Sequence, residues 1–503
     1  MALTPKQIFK DFKKNKIDKS YAAQLLIFII ENNNEIEVRL ESIDILNKIK
    51  IKDKSVFLFL ENSLISDNDD QIRILAARTL KALFEKKALG PFEWILNHEK
   101  SLQFLIPITS MISEIEDDMA KAILIDKIKN FQNAKFNDSI KNLTKTNKIH
   151  DLSTNQLADI INNYFMIQYI KETLTEFDYS VENGFITELN LSNINNNVFG
   201  WKILKNLTEV FKIFKELNKL DLKLTKIGGL PTSLGNLSSL AYLDLSYNKF
   251  REIPNSIFKL QALKYLDLKY NNLTELSNSI GFLKLLEILD LRHNKLTLLP
   301  NSISNLTSLK VLDLHGNQLT KIPNSLENLT SLKKLELGLN NLTIIPKWIK
   351  NFESLKKLGL SGNKNEFNLK ELIANLPNLK NLNLGNNNIE HLPDKIGTLN
   401  SLEKLTLNNN QLNDLPKSLK NLTSLKTLDL SWNNFIKLPE WIGSLFNLEV
   451  LNLSGNKLNF LPESMGLLSS LKILNLKLNN DNLKISKSIK KLQDKGLVVH
   501  TSS

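Results

Sequence analysis

The chain has 503 residues, 42% hydrophobic and 23% charged, an ordinary balance for a globular protein of more than one domain. It has no cysteine, which excludes disulfide frameworks, cysteine–zinc sites and thiol nucleophiles. Its net charge of +12 is unevenly placed: residues 1–184 hold 25 basic and 27 acidic side chains, and the remainder holds 40 basic against 26 acidic.

The opening residues, MALTPKQIFKDFKK, carry no apolar signal core, and the apolar run Ala22–Ile30 is too short to span a bilayer. A cytoplasmic location without a membrane span is the expectation. Residues 1–130 read as helices without strand alternation. Two segments there are alike, EVRLESIDIL from Glu37 and QIRILAARTL from Gln71, with Arg39 and Arg73 at matching places. Each follows an apolar helix (Tyr21–Ile30, Lys54–Ile65) and an acidic turn. The pattern resembles HEAT-type helical repeats, which implies that each arginine stem packs on the neighbouring hairpin. Its guanidinium is then expected to bond turn carboxylates such as Asp69 or Asp70. Leu102–Ile115 and Ala120–Ile128 lack the arginine, so a generic helical bundle is the alternative.

Asn130–Lys148 is polar and reads as a linker. Ser153-Thr154-Asn155 caps a helix running to about Thr173. Asn183-Gly184, between apolar alternations, signals a tight hairpin. Its second strand runs on through Ile186, Leu189 and Leu191, and Asn197–Glu216 reads as an amphipathic helix (Phe199, Ile203, Leu207, Val210, Phe211, Phe214). The expected division is 1–130 helical and HEAT-like, 131–178 a helical connector, and 179–503 a repeat domain with caps at both ends.

From Leu217 one frame, LxxLxLxxNxLxxLPxxLxxLxx, starts twelve times, at Leu217, Leu240, Leu263, Leu286, Leu309, Leu332, Leu355, Leu379, Leu402, Leu425, Leu448 and Leu471. A period of this length fixes the architecture before any local reading. The xxLxL segment alternates with period two, so it is a short strand with one face inward, and stacked copies bury a continuous leucine core. The ninth position is Asn in eleven successive units, Asn248 to Asn479, where an inward amide can satisfy turn backbone that would otherwise be buried unpaired. A ladder of stacked amides is expected. Pro holds the fifteenth position in nine units, fixing φ on the returning arm. Past the last unit, Leu483, Ile485, Ile489 and Leu492 continue the core, and Leu497-Val498-Val499 suggests a final strand.

This pattern resembles the leucine-rich repeat family. Over 217–478 it is similar to intracellular members with 23-residue LP-containing units, as in Ras-pathway scaffolds, Scribble-type proteins and plant intracellular Ras-group-related proteins. The resemblance implies an α/β solenoid, a horseshoe with a parallel concave sheet, preceded here by an all-α HEAT-like domain. It also implies a non-catalytic scaffold in signal transduction, whose concave face holds a protein, such as a small GTPase or a phosphatase. Secreted members usually carry disulfide caps, which this chain cannot form. No phosphate loop, GxSxG or HExxH is present, so no enzyme activity and no cofactor are expected.

Candidate binding residues lie on outward strand positions. The fifth position runs Asp221, Asp244, Asp267, Asp290, Asp313, Glu336, and then changes to Gly359, Asn383 and Thr406. The third gives Tyr242 and Tyr265, the eighth Tyr247, Tyr270 and His293, and the seventh Lys269, Arg292 and His315. Stacked on neighbouring strands they form one patch, rich in the tyrosine and arginine that dominate binding hot spots. Trp432 stands apart. His293 and His315 share a surface, but two imidazoles make a poor metal site. The alternative is electrostatic binding of acidic membrane surface or nucleic acid by the basic array; the acid column opposes it, and nucleic acid is disfavoured. A second protein partner on the N-terminal helices is a further expectation.

Overall fold

The computed structural model describes residues 4–174, 176–193, 207–208, 210–363, 369 and 376–501. The chain divides into two compact units, Met1–Leu189 and Asn190–Ser503.

The first unit is helical: α1 (Pro5–Lys13), α2 (Lys19–Asn32), α3 (Ile36–Ile49), α4 (Lys54–Ser66), α5 (Asp70–Phe84), α6 (Leu89–His98), α7 (Leu102–Ser113), α8 (Asp118–Lys129), α9 (Ala134–Lys145) and α10 (Thr154–Thr173). Successive helices pair as hairpins α2–α3, α4–α5 and α6–α7. The second helices pack in a row (α3, α5, α7), and so do the first (α2, α4, α6). Turn acids start these helices. Asp18, Asp53, Asp69 and Asp117 each accept a backbone N–H of the following first turn, and Ser153 and Gln156 form a capping box on α10. The expected arginine chemistry holds in part. Asp69 is occupied as the cap of α5, while Asp70 accepts from Arg73 at 3.4 Å. Further carboxylates add to it, Asp67 for Arg39 and Glu99 for Arg73. Each Nε also donates to the end of the preceding helix, to Ile30 O at 3.1 Å and Leu64 O at 3.0 Å. The matching arginines thus clamp matching joints.

The window read as a polar linker contains α9, which buries Phe136 and Ile140. After α10 come β1 (Asp178–Glu182) and β2 (Phe185–Asn190), joined by Asn183 (φ 51°) and Gly184 (φ 85°). Two left-handed residues in a two-residue loop are the type I′ turn that asparagine–glycine favours. A Cβ on Gly184 would lie 2.7 Å from Ile160, so the close approach also requires glycine.

In the second unit each described strand, from β3 (Lys219–Asp221) through β14 (Ile473–Asn475) to β15 (Val498–His500), pairs in parallel with the strands of the adjacent units. Register is unbroken: Tyr242 opposes Tyr265, Asp244 opposes Asp267, and the leucines at each centre align. The last strand is the expected one, Val498 opposing Ile473. Leucines at the first, fourth and sixth positions are buried, fully so for Leu240, Leu243 and Leu245 in one unit. On the returning arm most prolines cap a short 3₁₀ turn, as Pro300 does for Asn301–Asn305 with φ −72° and ψ 150°. Phe199 and Ile203 of the amphipathic segment lie outside the described residues, while Leu207, Val210, Phe211 and Phe214 are buried.

The asparagines do more than stack. Asn340 Nδ2 donates to Leu337 O of its own unit (3.0 Å) and Leu314 O of the preceding one (3.0 Å), and Oδ1 accepts Leu319 N–H (3.0 Å). Asn271, Asn294, Asn317, Asn410, Asn433 and Asn456 repeat the arrangement. The stacked amides thus satisfy turn backbone as expected, and each side chain also ties two turns together.

Candidate partner-binding face

The outward columns begin where the strand ends. Position eight of every unit is left-handed: φ lies between 50° and 57° at Leu224, Tyr247, Tyr270, His293, Leu339, Asn386, Asn409, Trp432 and Leu478, and between 65° and 70° at Gly316, Gly362 and Gly455. That geometry lets the position-eight N–H pair with the carbonyl of position seven in the next unit, as Tyr247 does with Lys269 at 2.9 Å. Glycine and asparagine tolerate the conformation; large side chains pay for it, at about 1–2 kcal/mol each. Tyr247, Tyr270 and Trp432 are nevertheless exposed, Trp432 by 57%. Such outliers concentrate at functional sites. The signal is in the sequence, since position eight is Gly or Asn in five of its twelve occurrences. Leu224 and Leu339, exposed in the same column, were missed.

The side chains of this column lean toward the following unit. Tyr247 stacks on Tyr270 (centroids 4.5 Å apart, planes 12°), Tyr270 on His293 (4.3 Å), and His293 covers Gly316, where a Cβ would lie 2.6 Å from the imidazole. Trp432 lies over Gly455 in the same way. At position three Tyr242 and Tyr265 stack at 4.2 Å and 6°. Lysines cap both stacks, Lys219 Nζ 5.4 Å from the Tyr242 ring and Lys223 Nζ 5.5 Å from Tyr247. His293 meets His315 edge to face at 5.5 Å. The structure thus brings Tyr242, Tyr247, Tyr265, Tyr270, His293, Arg292 and His315 onto adjacent strands. Trp432 stays six strands from His293, roughly 29 Å along the sheet.

The acid column differs from its expected form. Asp244, Asp267, Asp290 and Asp313 are buried, with 0–7% exposure. In each, Oδ1 accepts the N–H two residues on: Ser246 (2.8 Å), Lys269 (3.0 Å), Arg292 (3.1 Å) and His315 (3.2 Å). Asn383, Asn452 and Asn475 make the same bond. An Asx turn ends the strand, which explains why Asp or Asn recurs there without reference to any partner. Most of the charge is matched from within. Lys269 pairs with Asp267 (2.5 Å), Arg292 with Asp290 (2.6 Å), Lys334 with Asp313 (2.9 Å) and Lys357 with Glu336 (2.9 Å). An approaching anion accordingly meets far less negative charge than six open carboxylates would present.

Burial, followed by the charge of Asp267, pushes the Tyr265 phenol up, and burial pushes Tyr242 up as well. The Tyr265 hydroxyl donates to Asp267 Oδ2 at 3.3 Å. Burial raises Asp267 despite its lysine, with Asp290 and Asp244 adding to the effect. Burial also holds His315 below the ordinary imidazole value. The face is one of neutral phenols, a neutral imidazole and internally paired charges.

A leucine-rich repeat region model matches residues 259–361 and 339–493, and a leucine-rich repeat model matches 239–260. A leucine-rich repeat protein of Leptospira interrogans is 38% identical over 58% of this chain and 74% of its own, with a TM-score of 0.54. A TDR receptor is 28% identical, covering 63% and 55%, with a TM-score of 0.53. The leucine-rich repeat ectodomain of the Arabidopsis thaliana membrane receptor kinase GASSHO1/SCHENGEN3 is 31% identical, covering 59% and 40%, at a TM-score of 0.45. The chain thus spans about three quarters of the first and about half or less of the others. No curated protein matches it. Among the described residues no helix is long and apolar enough to cross a membrane. By its unbroken repeat frame, its register and its likeness to the Leptospira protein, the chain belongs to the leucine-rich repeat family.

Proposed function

We propose that this protein is a non-catalytic scaffold or adaptor that holds a protein partner on its sheet face. The carrying observation is the pair of tyrosine stacks, partly exposed, of which Tyr247 and Tyr270 place large rings on left-handed backbone where glycine or asparagine would serve the fold. Stacked rings lose little further entropy on binding, and tyrosine combines apolar area with a polar tip. Kinship with the intracellular Ras-group type, a cytoplasmic location and a small GTPase or phosphatase as partner complete the proposal. It also takes 1–130, 131–178 and 179–503 as the functional division. A second partner on the helical unit is supported by the exposed Phe28, Leu58 and Trp94 on α2, α4 and α6.

Affinity capture supplies the partner, and substitution tests the face. Tyr242→Ala, Tyr265→Ala and Tyr270→Ala should each cost more than about 1 kcal/mol of binding without loss of fold. Lys356→Ala and Lys357→Ala serve as controls. The opposite pattern, tight binding by the tyrosine variants and loss on lysine neutralisation, overturns the reading. It would favour the electrostatic alternative, which the lysine cluster Lys333, Lys334, Lys356, Lys357 and Lys380 supports, although Lys334, Lys357 and Lys380 are paired with Asp313, Glu336 and Glu403.

A further inference from the structure

Positions five and seven of a unit normally satisfy each other. Ser431 Oγ donates to Asp429 Oδ1 at 2.6 Å and Ser454 Oγ to Asn452 Oδ1 at 2.8 Å; Lys269 and Arg292 form ion pairs with their own position-five acids. The unit starting at Leu240 does not close in this way. Asp244 is 6% exposed, and among the described residues its only hydrogen bond is the Ser246 N–H on Oδ1. Ser246 is fully buried, and its Oγ has no partner among the described residues. Lys269, the nearest basic neighbour on the next strand, makes its ion pair with Asp267. Asp221, preceding Asp244 in register, likewise makes no ion pair among the described residues.

These orphan atoms lie between the two tyrosine stacks, Tyr242–Tyr265 on one side and Tyr247–Tyr270 on the other. A nearly buried carboxylate without an ion pair of its own is costly, and aromatic walls favour a cation over an anion. We infer that this notch seats a basic side chain, Arg or Lys, of a polypeptide partner. The cation pairs with Asp244, its remaining N–H groups reach Ser246 Oγ or Asp221, and its aliphatic stem lies between the rings. This rests on the face being protein-binding and names the chemistry that it reads.

The test uses the full chain with its eight tyrosines labelled by carbon-13, titrated with N-acetyl-arginine amide and with its neutral isostere N-acetyl-citrulline amide. The arginine probe should shift the Tyr242 and Tyr247 ring signals saturably, and citrulline should not. Asp244→Asn should weaken the arginine probe at least tenfold. It preserves the turn, because Asn accepts the same N–H at Asn383 and Asn452. Asp429→Asn, in the same column but distant, should change nothing. Equal response to both probes, no response to arginine, or an unaltered response in Asp244→Asn overturns the inference. With a captured protein partner, loss of binding in Tyr242→Ala but not Asp244→Asn sinks the cation seat and leaves the scaffold reading standing. Retention in both variants removes both.

Discussion

Replacing Asn340 by alanine tests how the array is held together. Asn340 touches four backbone groups, but three of them keep another donor. Leu337 O retains Asn363 Nδ2 at 3.1 Å, Leu314 O retains Asn317 Nδ2 at 3.0 Å, and Gly338 O retains Gly316 N–H at 2.8 Å. Only Leu319 N–H, bonded to Asn340 Oδ1 at 3.0 Å, is left buried and unpaired. One orphaned donor costs about 1–3 kcal/mol, well below the sum of the bonds removed. Hydrogen exchange at the Leu319 amide should then accelerate by about 5- to 150-fold, reading that cost as local opening. The redundancy gives a sharper test. Adding Asn317→Ala strips Leu314 O of both donors, so the double variant should be worse than additive by about 0.5–3 kcal/mol. Asn340→Ala with Asn433→Ala, four units apart, should be additive within about 0.5 kcal/mol. Unchanged exchange at Leu319, or strict additivity for the neighbouring pair, would refute the two-turn tie.

Other outcomes follow from the geometry. His315 is kept neutral by burial, against Asp313 and with help from His293, so its folded value lies below its ordinary 6.5. The unfolded chain then binds the proton first: the stability that His315 contributes is complete above pH 6.5 and is lost as pH falls through the folded value. Denaturation midpoints of the wild type should fall more steeply below pH 6.5 than those of His315→Gln, and parallel curves would contradict this. Arg73→Leu deletes the bonds to Leu64 O and Glu99 and should destabilise the helical unit by about 1.5–3 kcal/mol. Amide protection in the repeat unit should be unaffected. Leu339→Asn, at φ 50° and 47% exposed, should be neutral or stabilising by up to about 1 kcal/mol despite losing a large apolar side chain. A loss above 1 kcal/mol in thermal unfolding would show that its packing on Gly362 outweighs the strain.

The repeat frame, the parallel sheet, the final strand, the Asn183-Gly184 hairpin and the cap before α10 were legible because each rests on local periodicity or on one or two residues with a single favoured geometry. The column of site residues was legible for the same reason, since a period-two strand fixes which side chains face outward. What those side chains do there depends on neighbours 23 residues away, which no local pattern encodes. Aspartates that read as open charge prove to be buried turn acceptors, because the carboxylate reaches back to its own backbone while lysines and arginine from the same or the next strand neutralise it. Likewise, Arg73 finds Glu99 rather than Asp69, because a carboxylate at a helix start is taken by that helix's own N–H groups. Asn130–Lys148 looked polar throughout, yet one apolar face of α9 sufficed to fold it, since Phe136 and Ile140 need only a neighbouring surface to cover them. Sequence determined the repeat and its faces. Only the stacking of units decided which polar atoms are satisfied, and among the described residues Ser246 Oγ and the second carboxylate oxygen of Asp244 are left without a partner.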